Sequence, residues 1–172
     1  MKNLLRFTLP LAIIVFSVSA TSVLAAEPKL IREHGKWQAL EFIDNGSKVC
    51  YMVSEPTKES GDYSQRGDIF ALITHHPAEG TKDVFSYITG YTYKPGEEVE
   101  VTIDGQKFVL FSQDDTAWTP DAETDARLAK AIQTGSKMVV KGRSSRGTLT
   151  TDTFSLSGSG AAYKEITRAC GS

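Results

Sequence analysis

Histidine and cysteine are scarce in this sequence, which contains three histidines and two cysteines among 172 residues. Structural zinc sites normally use four His or Cys ligands, and the Cys-x-x-Cys spacing of redox-active thiols is absent. His75 and His76 are adjacent, and neighbours in a strand point to opposite faces, so they are poorly placed to hold one metal ion. We therefore expect no metal and no cofactor. One of these histidines hydrogen-bonding a ligand or sensing pH is the alternative.

An excess of positive charge is also lacking. Lysine and arginine total 19 against 21 aspartates and glutamates, which gives a formal net charge of -2. Nucleic-acid-binding domains usually carry a basic patch and a high pI, so nucleic acid is not an expected partner. The 23% charged and 40% hydrophobic residues are typical of a globular protein and not of a disordered one.

Long apolar runs are missing outside the amino terminus. There a basic start precedes an apolar stretch that Pro10 interrupts and that ends in small residues at Ala25 and Ala26. This pattern is typical of a secretory signal peptide and is shorter than the roughly 20 residues of a membrane-spanning helix. We predict a signal peptide over residues 1–26 and one soluble domain over residues 27–172, without a membrane span after cleavage. A retained amino-terminal anchor is the alternative.

The predicted export determines the expected redox state of the two cysteines, Cys50 and Cys170. In an oxidising compartment such as the periplasm, thiols are not kept reduced, so the pair is best explained as one disulfide. The bridge would tie the first third of the chain to its end. A pair of free or redox-active thiols is the alternative. The expected location is periplasmic, with the outer surface or the medium as further possibilities.

Short segments rich in β-branched and aromatic residues alternate with turn residues along the rest of the chain. Asn45-Gly46 and Asp104-Gly105 are typical of tight hairpin turns. One helix is predicted to begin at Thr119-Pro120-Asp121, with a capping hydroxyl, and to end at Gly135; a second covers residues 160–169. The predicted strands cover residues 37–43, 49–53, 68–74, 83–91, 99–103, 108–111, 137–141 and 149–156.

Eight short strands and two short helices predict an all-β fold, an antiparallel β-sandwich or barrel. The polar segment Glu55–Gly67 contains proline, glycine and charged residues. It is predicted to be a mobile loop.

Several short motifs along the chain carry a family resemblance. They are Gly35-Lys36-Trp37, Lys48-Val49-Cys50-Tyr51-Met52, Thr74-His75-His76-Pro77-Ala78-Glu79, Ile103-Asp104-Gly105, Asp115-Thr116-Ala117-Trp118, the run from Lys141 to Gly147, Thr151 to Ser157, and Ala169-Cys170. Together they resemble the invasion-associated locus B family, over essentially the whole chain after the signal peptide. The resemblance implies a small exported α-proteobacterial protein with an immunoglobulin-like β-sandwich fold, linked in some intracellular pathogens to entry into host cells. It carries over no catalytic residues.

A basic loop is the first candidate binding site. Its guanidinium and hydroxyl groups could bind a carboxylate, a phosphate, a sulfated sugar or a protein partner. The alternative is a hairpin connection whose charges are simply solvated. The candidate residues are Lys141, Arg143, Ser144, Ser145 and Arg146.

A row of tyrosines is the second candidate. Tyr87, Tyr91 and Tyr93 are spaced by two or four residues and would share one face of a strand. If exposed, they would form an aromatic recognition surface. The alternative is that their rings cover the core and place their hydroxyls at its rim.

Catalysis is not expected. Ser144 or Ser155 could be combined with a histidine and an aspartate, but no nucleophile-elbow motif supports such a triad. The predicted function is a non-enzymatic interaction protein of the cell envelope, contributing to envelope integrity or host-cell invasion. Its partner would be an envelope or host protein, or a glycan. One alternative is an accessory subunit or assembly factor that docks through exposed edge strands. An unrecognised periplasmic hydrolase is another.

Overall fold

The computed structural model describes residues 27–171, which form eleven strands, two α-helices and a 3-10 turn at Pro77–Glu79. The predicted signal peptide lies outside the described residues. The strands are β1 (Lys29–His34), β2 (Trp37–Asp44), β3 (Ser47–Ser54), β4 (Lys58–Gly61), β5 (Phe70–His76), β6 (Thr81–Ile88), β7 (Glu98–Ile103), β8 (Gln106–Gln113), β9 (Thr116–Trp118), β10 (Lys137–Arg143) and β11 (Leu149–Ser155). The helices are α1 (Ala122–Thr134) and α2 (Ser159–Cys170).

All the strand pairs are antiparallel, and they follow the order β1-β2-β3-β5-β6-β9-β8-β7-β10-β11-β4. The sheet curls so that strands near its two ends meet. A hydrogen bond shows this contact: Trp37 on β2 donates from Nε1 to the Ser155 carbonyl on β11 at 3.0 Å. At the same corner a Cβ on Gly158 would lie 2.0 Å from the His34 carbonyl oxygen, so only glycine fits there. One shared core fills the resulting sandwich.

The predicted antiparallel sandwich with two short helices and a disulfide is confirmed, although the strands form one continuous order and not two separate sheets. All eight predicted strands are present. The prediction missed β1, β4 and β9. β1 and β4 are polar edge strands, and β9 has only three residues. The prediction of a loop throughout Glu55–Gly67 is therefore wrong, because β4 lies inside that segment and pairs with β11.

The two predicted tight turns are present. Asn45-Gly46 and Asp104-Gly105 have positive φ at both residues, 48° and 83° in the first and 45° and 94° in the second. Such turns match the right-handed twist of the strands that they join. They fix the pairing of β2 with β3 and of β7 with β8.

Helix α1 is capped by Asp121, whose carboxylate accepts from the Thr124 amide at 2.7 Å. The expected capping hydroxyl of Thr119 has another role, since it donates to Asp125 Oδ1 at 2.6 Å. The same carboxylate oxygen accepts from the buried Phe85 amide at 2.8 Å. Asp125 thus satisfies an amide of β6 at a point beyond the end of the short strand β9.

The disulfide joins Cys50 on β3 to Cys170, the last residue of α2, as predicted. Ala162 and Ile166 are fully buried on the same helix, eight and four residues before Cys170. Helix α2 therefore packs its apolar side on the inner face of the sheet, and the bridge fixes its carboxyl end.

The helices lie at one end of the sandwich. Strand β10 starts directly after α1, at Lys137, and ends at Arg143. Strand β5 ends at His76. The residue before it, His75, lies opposite Cys50 of the disulfide on β3. Among the described residues, neither helix contributes to the cavity at the opposite ends of these strands.

Removing the disulfide should strongly destabilise the protein. The cysteines are 120 residues apart. In the chain-entropy model, opening a loop of that length lowers the free energy of unfolding by about 5 kcal/mol. Urea denaturation of the oxidised protein and of a Cys50→Ala/Cys170→Ala variant measures the difference. A difference below about 1 kcal/mol would contradict a major stabilising role of the bridge.

Candidate functional site

A groove opens at the end of the sandwich that lies away from the helices. Its lining comes from three chain segments: residues 59–67, residues 90–92 and the β10–β11 connection at residues 144–150. Its volume is about 1020 Å³. Loops carried on rigid strands are a common location for binding sites.

The floor of the groove is Arg66, whose side chain is only 3% exposed. Its Nη1 and Nη2 each donate to one carboxylate oxygen of Asp152 at 2.7 Å, in a bidentate pair. Its Nε donates to the Thr89 carbonyl at 2.7 Å, and Nη2 also lies 3.0 Å from Thr89 Oγ1. Asp152 is buried as well and also accepts from the Tyr87 hydroxyl. The guanidinium is thus held from three sides.

Two aromatic rings flank this guanidinium. The Arg66 Cζ atom lies 5.5 Å from the centre of the Tyr63 ring and 5.0 Å from that of Tyr91. Burial alone lowers the pKa of Arg66, but the hydrogen bond and charge of Asp152 outweigh it and raise the pKa above its usual value. Arg66 is therefore permanently charged, flat and fixed.

Tyr87 lies on β6, whereas Tyr91 and Tyr93 lie in the segment that follows it, and the prediction of an exposed aromatic surface is wrong. Tyr87 is 1% exposed and Tyr93 is 3% exposed. Burial, followed by the neighbouring Asp152, raises the pKa of Tyr87 well above its usual value. Tyr91 is half-buried, lines the groove and lies 2.7 Å from Thr150 through the two hydroxyl oxygens. The Tyr93 hydroxyl has no hydrogen-bond partner within residues 27–171.

Only part of the predicted basic loop lies in the groove. Ser144, Ser145 and Arg146 line the groove. Arg143 donates to the Gly147 carbonyl at 2.8 Å and lies 3.7 Å from a Glu97 carboxylate oxygen, so its charge is engaged outside the groove.

Lys141 is exposed and pairs across the strands with Glu100 of β7. It is not part of the groove lining. The prediction that all five residues form one anion site is therefore wrong, because Lys141 and Arg143 share the outward side of β10 and only the turn after β10 reaches the groove.

The charges that line the groove nearly cancel. Glu59 and Asp62 stand on one wall and Arg146 on another, while Arg66 is neutralised by Asp152. Arg146 makes no ion pair with any described residue of the chain. An anion would therefore meet two carboxylates as well as one arginine, which favours an uncharged ligand.

His75 belongs to the opposite end of the sandwich. It is 1% exposed, and its Nδ1 accepts from the Asp83 amide at 3.1 Å. Its Nε2 lies 3.4 Å from Thr167 Oγ1, and the Tyr163 ring packs on it edge-on, with ring centres 5.4 Å apart. Burial lowers the pKa of His75, so the ring is neutral. Within residues 27–171 no group of His, Cys, Asp and Glu side chains is arranged to hold a metal ion.

Arg66 and Asp152 are the residues that the sequence interpretation missed. One signal was present: Thr150, Asp152 and Phe154 alternate on one face of β11, and all three are buried. An aspartate in phase with a buried phenylalanine needs a buried partner, since an unpaired charge is costly there. The sequence does not say that this partner is Arg66, 86 residues away.

A disulfide-closed antiparallel β-sandwich with a polar groove at its open end is the class of protein that these features define. The family model for invasion associated locus B (IalB) protein matches residues 37–167, so the chain belongs to this family. Its structure is similar to the crystal structure of invasion associated protein B from Bartonella henselae, with a TM-score of 0.57 and 14% identity. The alignment covers 80% of this chain and 95% of that chain. No curated protein sequence matches the chain. No described helix is long and apolar enough to cross a bilayer.

Asp152→Asn should lower the free energy of unfolding by about 3–5 kcal/mol, because Arg66 would stay buried without its counter-charge. Glu100→Gln is the matched control. It removes a carboxylate that lies 2.9 Å from Lys107 in an exposed pair, and such pairs contribute about 1 kcal/mol or less. Urea denaturation measures both variants. Equal, small effects would contradict the role of the buried pair.

The free energy of unfolding should decrease as the pH falls below about 6.5, the ordinary histidine pKa. The unfolded chain then binds a proton that the buried, neutral His75 resists, because its pKa is lowered in the folded state. The slope for one proton is at most about 1.4 kcal/mol per pH unit. Urea denaturation between pH 7.5 and pH 5 measures it. His75→Gln should reduce the slope, and a slope equal to that of the parent protein would refute the assignment.

Proposed function

We propose that this protein is exported to the cell envelope and acts there as a non-enzymatic binding protein, with the groove as its ligand site. The observation that carries the proposal is the fixed floor of the groove. Arg66 is buried, flanked by two rings and hydrogen-bonded on several sides, so the site is ordered before a ligand arrives. A preordered site loses less conformational entropy on binding.

Export is supported by the sequence of residues 1–26 and by the disulfide between Cys50 and Cys170. The periplasm is the proposed location, and the outer surface and the medium are alternatives. In a host-associated bacterium the same binding would contribute to host-cell invasion. This part of the proposal follows the names of the family and of the Bartonella henselae protein.

The lining of the groove also favours binding over catalysis. Its described residues include serines but no histidine or cysteine. A nucleophilic serine needs an adjacent general base, and His75 and His76 lie at the far end of β5. The groove therefore lacks the pair of groups that a hydrolase of the serine type would use.

A second candidate function is that of an accessory subunit or assembly factor of an envelope complex. It is favoured by an apolar outer face on one half of the sheet, which we call the apolar face. The two exposed hydrophobic residues of β8 on this face are Val109 and Phe111, at 52% and 50% exposure. A row of cross-strand neighbours continues it through Phe111, Trp118, Ser86, Leu72 and Val53.

The apolar face ends at β7, whose Glu98 and Glu100 lie directly across from Phe111 and Val109. The outward positions of β7 are Glu98, Glu100 and Thr102, and the neighbouring strand β10 presents Lys141. Large apolar patches on a monomer often mark interaction sites. The apolar face is a better docking surface than the edge strands, because β1 carries charged residues and β4 has only four residues.

Photo-cross-linking in intact cells tests the two candidates. Benzoylphenylalanine is placed at Ser145 in the groove, at Phe111 on the apolar face, and at Lys141 on the polar outer face as the control. We expect an adduct from Ser145 and none from Lys141, on a protein that osmotic shock releases with its amino terminus at residue 26 or 27. Equal labelling at Ser145 and Lys141 would refute the groove as the site. An adduct from Phe111 alone would favour the accessory subunit.

A further inference from the structure

We infer that the ligand of the groove is a neutral oligosaccharide. The inference rests on the proposed function and names the chemical class that the site would bind.

Hydroxyl groups dominate the lining. Eight of its fifteen residues carry one, and none of the fifteen has an aliphatic hydrocarbon side chain. Pockets for drug-like molecules are mostly apolar, and grooves that bind extended peptides have pockets for alternate side chains. Apart from the rings of Tyr63 and Tyr91, the groove offers neither kind of ligand an apolar surface to bury. A ligand covered with hydroxyls fits such a surface.

Many of these polar groups are not used within the protein. The side chains of Ser64, Gln65, Thr92 and Ser145 make no hydrogen bond with another described residue. Arg66 Nη1 has two N–H groups and a single acceptor among the described residues, Asp152 Oδ1. Unused donors and acceptors are therefore both present in the groove, and sugar hydroxyls both donate and accept hydrogen bonds.

The two acidic residues of the lining narrow the chemical class of the ligand further. The Asp62 and Glu59 carboxylates can accept from sugar hydroxyls, and hydrogen bonds to charged acceptors are the stronger kind. The same carboxylates would repel sulfate, phosphate or uronate groups. Arg146 is the single cation of the lining that has no ion-pair partner among the described residues, so a polyanion is disfavoured.

The size of the groove favours a chain of sugars over a single sugar. At about 1020 Å³ it lies at the upper end of the range for small-molecule sites. Its lining runs from β4 across Gly90 to the β10–β11 turn. An oligosaccharide could extend through it and contact both walls.

The test uses the oxidised protein produced from the full-length sequence. Neutral hexasaccharides of glucose, mannose, galactose and N-acetylglucosamine are titrated into ¹⁵N-labelled protein, with a heparin hexasaccharide for comparison. We expect at least one neutral hexasaccharide to shift the amide signals of residues 59–67, 90–92 and 144–150. Absence of such shifts at millimolar sugar, or shifts with the heparin hexasaccharide alone, would overturn the inference.

Asp62→Ala and Asp44→Ala form a matched pair of variants. Both residues are exposed, and Asp44 lies at the β2–β3 turn, away from the groove. Asp62→Ala should weaken the binding of the neutral hexasaccharide about tenfold or more, while Asp44→Ala leaves it unchanged. Equal affinities of the two variants would overturn the assignment to the groove. Melting temperatures close to that of the parent protein confirm that both variants fold.

The cross-linking experiment separates this inference from the proposed function. A protein adduct at Ser145, together with no binding of any neutral hexasaccharide, would overturn the sugar as ligand and leave the groove as the binding site. No adduct at Ser145 and no sugar binding would overturn both.

Discussion

The buried ion pair between Arg66 and Asp152 is the interaction on which the open end of this sandwich depends. Asp152 lies on β11 and Arg66 in the segment that follows β4, and Thr89 brings in the end of β6. A charge inside a protein is tolerated only when it is paired and hydrogen-bonded. The pair, with the Tyr87 hydroxyl and the flanking rings of Tyr63 and Tyr91, meets that requirement. Three chain segments are thereby fixed around one guanidinium, and their outer sides form the groove.

The two ends of the strands are stabilised by different means. At the closed end, helix α2 is joined to the inner face of the sheet. The disulfide and the contact between His75 and Thr167 make this connection. At the open end, polar contacts take over from apolar packing, and the lining consists of hydroxyl, amide and charged groups. The open end therefore presents mainly polar groups to solvent, and the binding role proposed for it uses those groups.

Local signals in the sequence were sufficient for most of the fold. Turns such as Asn45-Gly46 need positive φ, and few residue types adopt it easily, so the hairpins could be placed. β4 could not be placed, because all four of its residues are exposed and its pairing depends on β11. The predicted shared strand face of Tyr87, Tyr91 and Tyr93 is wrong, because β6 ends at Ile88 and Gly90 turns the chain with a φ of 72°. A period of two also does not say which side of a strand faces the core. The groove was missed because its floor joins residues far apart in the sequence.

Amide hydrogen exchange in an Arg66→Met variant tests the central claim most directly, namely that this ion pair holds the groove in shape. In the parent protein, the amides of Thr57 and Gly67 donate to the carbonyls of Thr153 and Gly90 and should exchange slowly, as should those of β4 that pair with β11. The account predicts that the variant loses protection in residues 57–67 while the amides of β7 and β10 keep theirs. Unchanged protection of residues 57–67 would show that the groove is held by other contacts and would contradict the account.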